Sequence, residues 1–187
     1  MMVLNLTRVV LMLGLVLALG GCDNNTPLMK EVLDNNTEAA VTLLEQGAEV
    51  DARNSYGWTA LSHAARLGHV EMMSLLMDQG AGVDVADDSG WTPLMRAALK
   101  GHGEAVKLLL DHHADIHHAD RSGWTALHWA AHQGHEEVVT MLVDAGADIT
   151  RKTGDGWSPY MIAQKEGHGD LANLIGRWLR NADQPIE

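Results

Sequence analysis

The chain has 187 residues and a formal net charge of −12, enough for one domain plus a targeting segment. That acidity repels phosphate backbones and anionic lipid surfaces and so excludes nucleic acid as a partner; it is consistent with a basic partner or with a merely solubilising surface. The single cysteine, Cys22, excludes an internal disulfide, so the fold must stand on packing, with Met, Leu, Val and Ala replacing the absent Phe.

Residues 1–21 read as an address and not as part of the fold. Arg8 and the free amine supply a thin positive start, and residues 9–19 are an apolar run broken only by Gly14 and Ala18. Roughly 20 apolar residues are needed to span a bilayer, so this run suits a signal peptide better. It ends in Leu19-Gly20-Gly21-Cys22, which resembles a bacterial lipobox. The resemblance implies cleavage after residue 21 and lipidation of Cys22 with more than one acyl chain, a durable membrane anchor. An ordinary cleavable signal and an uncleaved anchor are the competing readings. Asp23 resembles an inner-membrane retention signal. The expected location is the bacterial cell envelope, lipid-anchored and facing the periplasm, with the inner membrane favoured. Residues 22–25 form the acylated cysteine and a short tether, and three residues at about 3.3–3.6 Å each keep the domain within roughly 10–12 Å of its anchor. Without residues 1–21 the chain keeps 12 basic against 25 acidic residues.

From Thr26 onward the chain repeats. Thr26-Pro27-Leu28 opens the series. Gly57-Trp58-Thr59-Ala60-Leu61, Gly90-Trp91-Thr92-Pro93-Leu94, Gly123-Trp124-Thr125-Ala126-Leu127 and Gly156-Trp157-Ser158-Pro159-Tyr160 follow at a spacing of 33. In phase with them run Gly68-His69, Gly101-His102, Gly134-His135 and Gly167-His168, then Gly47-Ala48, Gly80-Ala81, His113-Ala114 and Gly146-Ala147. The pattern resembles the ankyrin repeat over residues 26–180. It implies an all-α repeat solenoid of helix-turn-helix units joined by β-hairpin loops, with about four full repeats and a degenerate C-terminal cap. The copies are 26–56, 57–89, 90–122, 123–155 and 156–180, with a tail over 181–187.

Each motif element has a physical role. Thr59, Thr92, Thr125 and Ser158 are N-caps, and Pro27, Pro93 and Pro159 take the first helical position, where a missing N–H costs nothing. Ala64-Ala65, Ala97-Ala98 and Ala130-Ala131 let neighbouring helices approach. Gly68, Gly101, Gly134 and Gly167 supply a left-handed residue ending the first helix. The second helices should bury Val70, Met73, Leu75 and Leu76, then Val106, Leu108 and Leu109, then Val138, Val139, Met141 and Leu142. His113 stands where the other copies have Gly, an expected point of strain. The polar first copy (Lys30, Glu31, Asp34, Asn35, Asn36, Glu38) and the fifth copy, ending in Arg177, Arg180 and Asn181, read as caps. Trp178 reads as cap packing.

No GxSxG, HExxH, CxxC or phosphate-cradling loop occurs, so no catalysis and no cofactor are expected. Of eleven histidines, His69, His102, His135, His168 and His128 sit at positions where the family also places histidine, and read as structural. The segment from Asp111 to Asp120 is different. His112, His113, His117 and His118, with three carboxylates, are candidates for Zn²⁺ or Cu²⁺. A solvated or pH-sensing hairpin is the competing reading, since nothing in the spacing closes a tetrahedron.

Ankyrin domains bind partners through a concave face of hairpin tips and first helices. Position by position, the resemblance carries this face onto Ser55, Tyr56, Asp88, Ser89, Arg121, Ser122 and Asp155 of the hairpins. It adds Trp58, Trp91, Trp124 and Trp157 after each hairpin Gly, and Arg66, Leu67, Leu99, Lys100, His132 and Gln133 of the first helices. The tryptophans read either as stack supports or as a rigid aromatic strip of binding anchors, with Trp129 extending the strip or filling a gap between repeats. The expected function is a periplasmic, membrane-anchored protein–protein interaction module, a monomer that sequesters a protein partner; one form is immunity to an antibacterial toxin. The alternatives are an envelope scaffold or stress factor supporting a redox or membrane enzyme, and a His-rich metal-binding protein.

Overall fold

The computed structural model describes residues 24–182. The segment 1–21 read as a signal peptide, the expected lipidation site Cys22, Asp23 and the tail from residue 183 lie outside the described residues. Ten helices and no strand occur among those described. They come in pairs: α1 (Pro27–Leu33) and α2 (Thr37–Glu45), α3 (Ala60–Leu67) and α4 (Val70–Asp78), α5 (Pro93–Lys100) and α6 (Gly103–Asp111), α7 (Ala126–Gln133) and α8 (Glu136–Asp144), α9 (Pro159–Lys165) and α10 (Gly169–Ala182). None is long and apolar enough to cross a membrane.

The caps form as the sequence requires. The side-chain oxygens of Thr26, Thr59, Thr92 and Ser158 accept the N–H of Met29, Ser62, Met95 and Met161, respectively. At Thr125 the reciprocal bond is added: the buried His128 Nδ1 accepts the Thr125 N–H at 3.2 Å. Its Nε2 lies 3.0 Å from the Arg151 carbonyl, which fixes Nε2 as the protonated nitrogen. Burial lowers the His128 pKa, so the ring is a neutral structural element.

The first helices of successive copies stack directly on one another, α1 on α3, α3 on α5, α5 on α7 and α7 on α9. Ala64, Ala65, Ala97, Ala98, Ala130 and Ala131 are fully buried between them. The second helices form an outer layer burying Met72, Met73 and Leu76, then Ala105, Val106 and Leu109, then Val138, Val139 and Leu142. The expected core face is corrected at Val70, which is only partly buried at the first turn of α4, and at one repeat position. Leu75, Leu108 and Met141 are only partly buried, because that position turns to the rim while Met72, Ala105 and Val138 fill the core.

Left-handed backbone marks both helix ends. Gly68, Gly101 and Gly134 have φ of 72°, 72° and 74°, and Asn35 takes the same position of the first copy at 53°, a residue that tolerates this region. His113 has φ of 61° where Gly47, Gly80 and Gly146 lie between 87° and 99°. A left-handed non-glycine costs about 1–2 kcal/mol, against about 0.5–1 kcal/mol for the extra unfolded freedom of glycine. His113→Gly is therefore expected to stabilise the domain by up to about 1 kcal/mol, seen as a higher urea midpoint at unchanged slope. An unchanged or lower midpoint would show that His113 bears no strain.

Candidate functional site

Four short hairpins precede the inner helices, and one buried residue organises each. Asp87 Oδ1 accepts the N–H groups of Ser89 and Trp91 at 2.7 and 2.9 Å. Asp120 Oδ1 does the same for Ser122 and Trp124, and Asn54 Oδ1 for Tyr56 and Trp58. Thr153 Oγ1 accepts from Trp157. Neighbouring hairpins are joined by single backbone bonds, Asp88 N–H to Tyr56 O, Arg121 N–H to Ser89 O and Gly154 N–H to Ser122 O. Four tryptophans are thereby presented at one equivalent position per copy.

One helical position, occupied by His63, Arg96, Trp129 and Ile162 in successive copies, supplies the side chains that separate the rings: Arg96 between Trp58 and Trp91, and Trp129 between Trp91 and Trp124. The Arg96 guanidinium lies 3.2 Å from the Trp58 centroid and 5.4 Å from that of Trp91. Trp129 lies 4.3 Å from both Trp91 and Trp124. His63 also packs against Trp58, with ring centroids 4.8 Å apart. The result is one continuous stack, His63–Trp58–Arg96–Trp91–Trp129–Trp124, across three copies. Arg96 is only 6% exposed. Its Nη2 donates to Asp87 Oδ2, as Trp129 Nε1 donates to Asp120 Oδ2 at 3.2 Å. Burial pushes the Arg96 pKa down to about 10, opposed by Asp87 and helped by repulsion from Arg66. It therefore remains charged at neutral pH.

Trp58, Arg66, Ser89, Trp91, Leu99 and Lys100 line one groove, together with Asp87 and Arg96. Ser55, Tyr56 and Asp88 line the adjoining depression with Trp58 and Ser89, and Tyr56 is 57% exposed. Asp88 pairs with Arg53 at 3.3 Å. Farther along, Arg121, Ser122, Gln133 and Asp155 are exposed. His132 meets the Trp124 ring edge-on, with Nδ1 3.6 Å from Glu166 Oε1. Lys165 Nζ sits 5.0 Å from the Trp157 centroid, outside the main stack. Leu67 is half-buried at the end of α3. The rings pack against neighbours, and each keeps a partly exposed side. Asp87 and Arg96 were not singled out by sequence, although Asn54, Asp87, Asp120 and Thr153 recur at the same spacing, four residues before each Trp.

The histidine segment does not assemble a metal cage. His112 caps α6, His113 and His117 are exposed, and His118 Nε2 lies 3.0 Å from the Gly90 carbonyl. Among the described residues no group of three or more His, Cys, Asp or Glu is placed to hold a metal ion. The histidines of the Gly-His pairs are joints between copies. Nε2 of His102, His135 and His168 lies 3.0–3.1 Å from the carbonyl of Arg66, Leu99 and His132, respectively.

Equivalent helical pairs, joined through equivalent contacts and presenting one continuous face, define a helical-repeat interaction protein. The chain belongs to the ankyrin-repeat family: the model of ankyrin repeats matches it three times, over residues 10–87, 75–153 and 120–183. The first match starts within the segment read as a signal peptide, whereas the first described helix follows Thr26. No curated protein matches the chain. Ankyrin repeats are protein–protein interaction modules, so the ligand class is a protein.

Proposed function

We propose that this chain is a lipid-anchored module of the bacterial periplasm that sequesters a protein partner along its hairpin-side groove. The observation that carries the reading is the ordered stack from His63 to Trp124. Its rings are held in place before any partner arrives, so binding loses little side-chain freedom, and aromatic and arginine side chains supply most hot-spot energy. The lipobox-like Leu19-Gly20-Gly21-Cys22 supports the anchor, and the short tether supports a partner at or near the membrane. An antibacterial toxin whose working site is covered in this way is one concrete partner, and the chain is then its immunity protein. That form requires that cells lacking the chain die when the partner is delivered to the periplasm, and that cells carrying it survive.

The test is crosslinked pull-down from native envelopes. The baits are the full chain, Cys22→Ser, and the exposed pair Tyr56→Ala with Arg121→Ala. These two positions lie outside the stack, so their loss leaves the fold intact. The full chain is expected to retain one stoichiometric partner, with about tenfold or greater loss in the double variant. Cys22→Ser is expected to leave the membrane fraction. Equal recovery by the double variant would refute the hairpin tips as part of the binding surface, and an unchanged membrane fraction for Cys22→Ser would refute the anchor.

A further inference from the structure

The chain as a whole is acidic, but the groove between copies 57–89 and 90–122 is not. Its charged lining is Arg66, Arg96, Lys100 and Asp87. Asp87 is the one carboxylate in that lining, and both of its oxygens are occupied, Oδ1 by two backbone amides and Oδ2 by Arg96. Arg66 forms no ion pair among the described residues. Its guanidinium carbon lies 5.4 Å from the Trp58 centroid, and its Nε is buried without an acceptor. Arg96 Nε also lacks one. Two guanidiniums thus share the Trp58 ring, and one carboxylate balances only one of them.

We infer that this groove recognises an aspartate or glutamate side chain on an apolar-flanked segment of the protein partner, with Arg66 as the specificity-determining contact. The inference rests on the proposed reading of the groove as the partner site. A planar guanidinium fork takes a carboxylate through two parallel hydrogen bonds, and Lys100 adds a mobile second donor. Leu99 and the open side of Trp91 receive the neighbouring apolar side chain. Net charge alone points towards a basic partner, but interactions between exposed charges fade beyond about 8–10 Å in physiological salt. At contact range the local cations decide, and a lysine or arginine would meet two guanidiniums. The same net charge of −12 disfavours an extended polyanion, so one carboxylate fits the site better than a phosphate polymer or an anionic bilayer.

Random-peptide display on the full chain in detergent micelles tests this, with Arg66→Gln, Lys100→Gln and Leu99→Ser as parallel baits and a melting curve for each. Arg66 has no partner whose loss would unfold the domain. Peptides selected on the unsubstituted chain are expected to share Asp or Glu beside a large apolar residue. Their affinity should fall about tenfold or more on Arg66→Gln, and less on Lys100→Gln, whose side chain is exposed. Arg66→Glu should shift selection to lysine-bearing peptides. Acid-free peptides that still depend on Leu99 would overturn the acidic preference while leaving the groove as the binding site. Absence of any Leu99-dependent peptide would overturn both. Displacement by inorganic phosphate as effective as by an acidic peptide would assign the cations to phosphate and overturn the carboxylate assignment.

Discussion

Asp87→Ala is expected to cost about 3–5 kcal/mol of unfolding free energy, the range for removing one partner of a buried ion pair. Asp87 holds the hairpin through the Ser89 and Trp91 amides and neutralises Arg96, a guanidinium almost fully out of solvent. Deprotonation offers no escape: burial lowers Arg96 only to about 10, so the uncompensated charge persists at pH 7. Asp87→Asn separates the contributions, because an amide oxygen can still accept the two backbone N–H groups while the charge is gone. It should fall between the wild type and Asp87→Ala. Adding Arg96→Leu to Asp87→Ala should recover much of the loss, since the stranded cation is then removed. Urea unfolding reads all four proteins. A loss below about 1 kcal/mol for Asp87→Ala would mean that the pair behaves as a solvated surface bridge.

The second large effect lies at the joints between copies. At Gly101 a Cβ would stand 2.6 Å from His135 Nδ1, and φ is 72°. Gly101→Ala therefore meets a left-handed penalty of about 1–2 kcal/mol. It also pushes away a ring whose Nε2 bonds the Leu99 carbonyl, a bond worth about 0.5–1.5 kcal/mol. A total of about 2–3 kcal/mol is expected. His135→Ala alone should cost about 1 kcal/mol. Together the two should cost less than the sum, because without the ring only the backbone penalty remains. The interaction energy from this cycle should be at least about 0.5 kcal/mol. Strict additivity would show that glycine and histidine do not sense each other across the joint.

The helices, their caps and their stacking order were legible in the sequence because each depends on local chemistry repeated in register. A threonine or serine that caps, a proline after it and a glycine at the end say the same thing whatever lies next door. His113 was legible for the same reason, as a side chain where the register demands glycine. The site was legible only in part. The Gly-Trp series announced the rings but not what separates them, since Trp91 touches residues five and thirty-eight positions further on, Arg96 and Trp129. Those neighbours come from a position whose identity changes in every copy, so no motif marks it. Leu75, Leu108 and Met141 misled because an apolar side chain at the rim of an outer helix reads like one in the core.

The stack behaves like a lock with one exchangeable pin per copy. The indoles and the Asn, Asp or Thr beneath them make a nearly constant frame, while His63, Arg96, Trp129 and Ile162 occupy one slot as imidazole, cation, aromatic and aliphatic groups. At Arg96 and Trp129 a change in that slot alters the chemical character of the face between two fixed rings without redrawing the helices that carry it. Arg96 shows the limit of that freedom, because a charged pin requires a carboxylate in the frame beneath it.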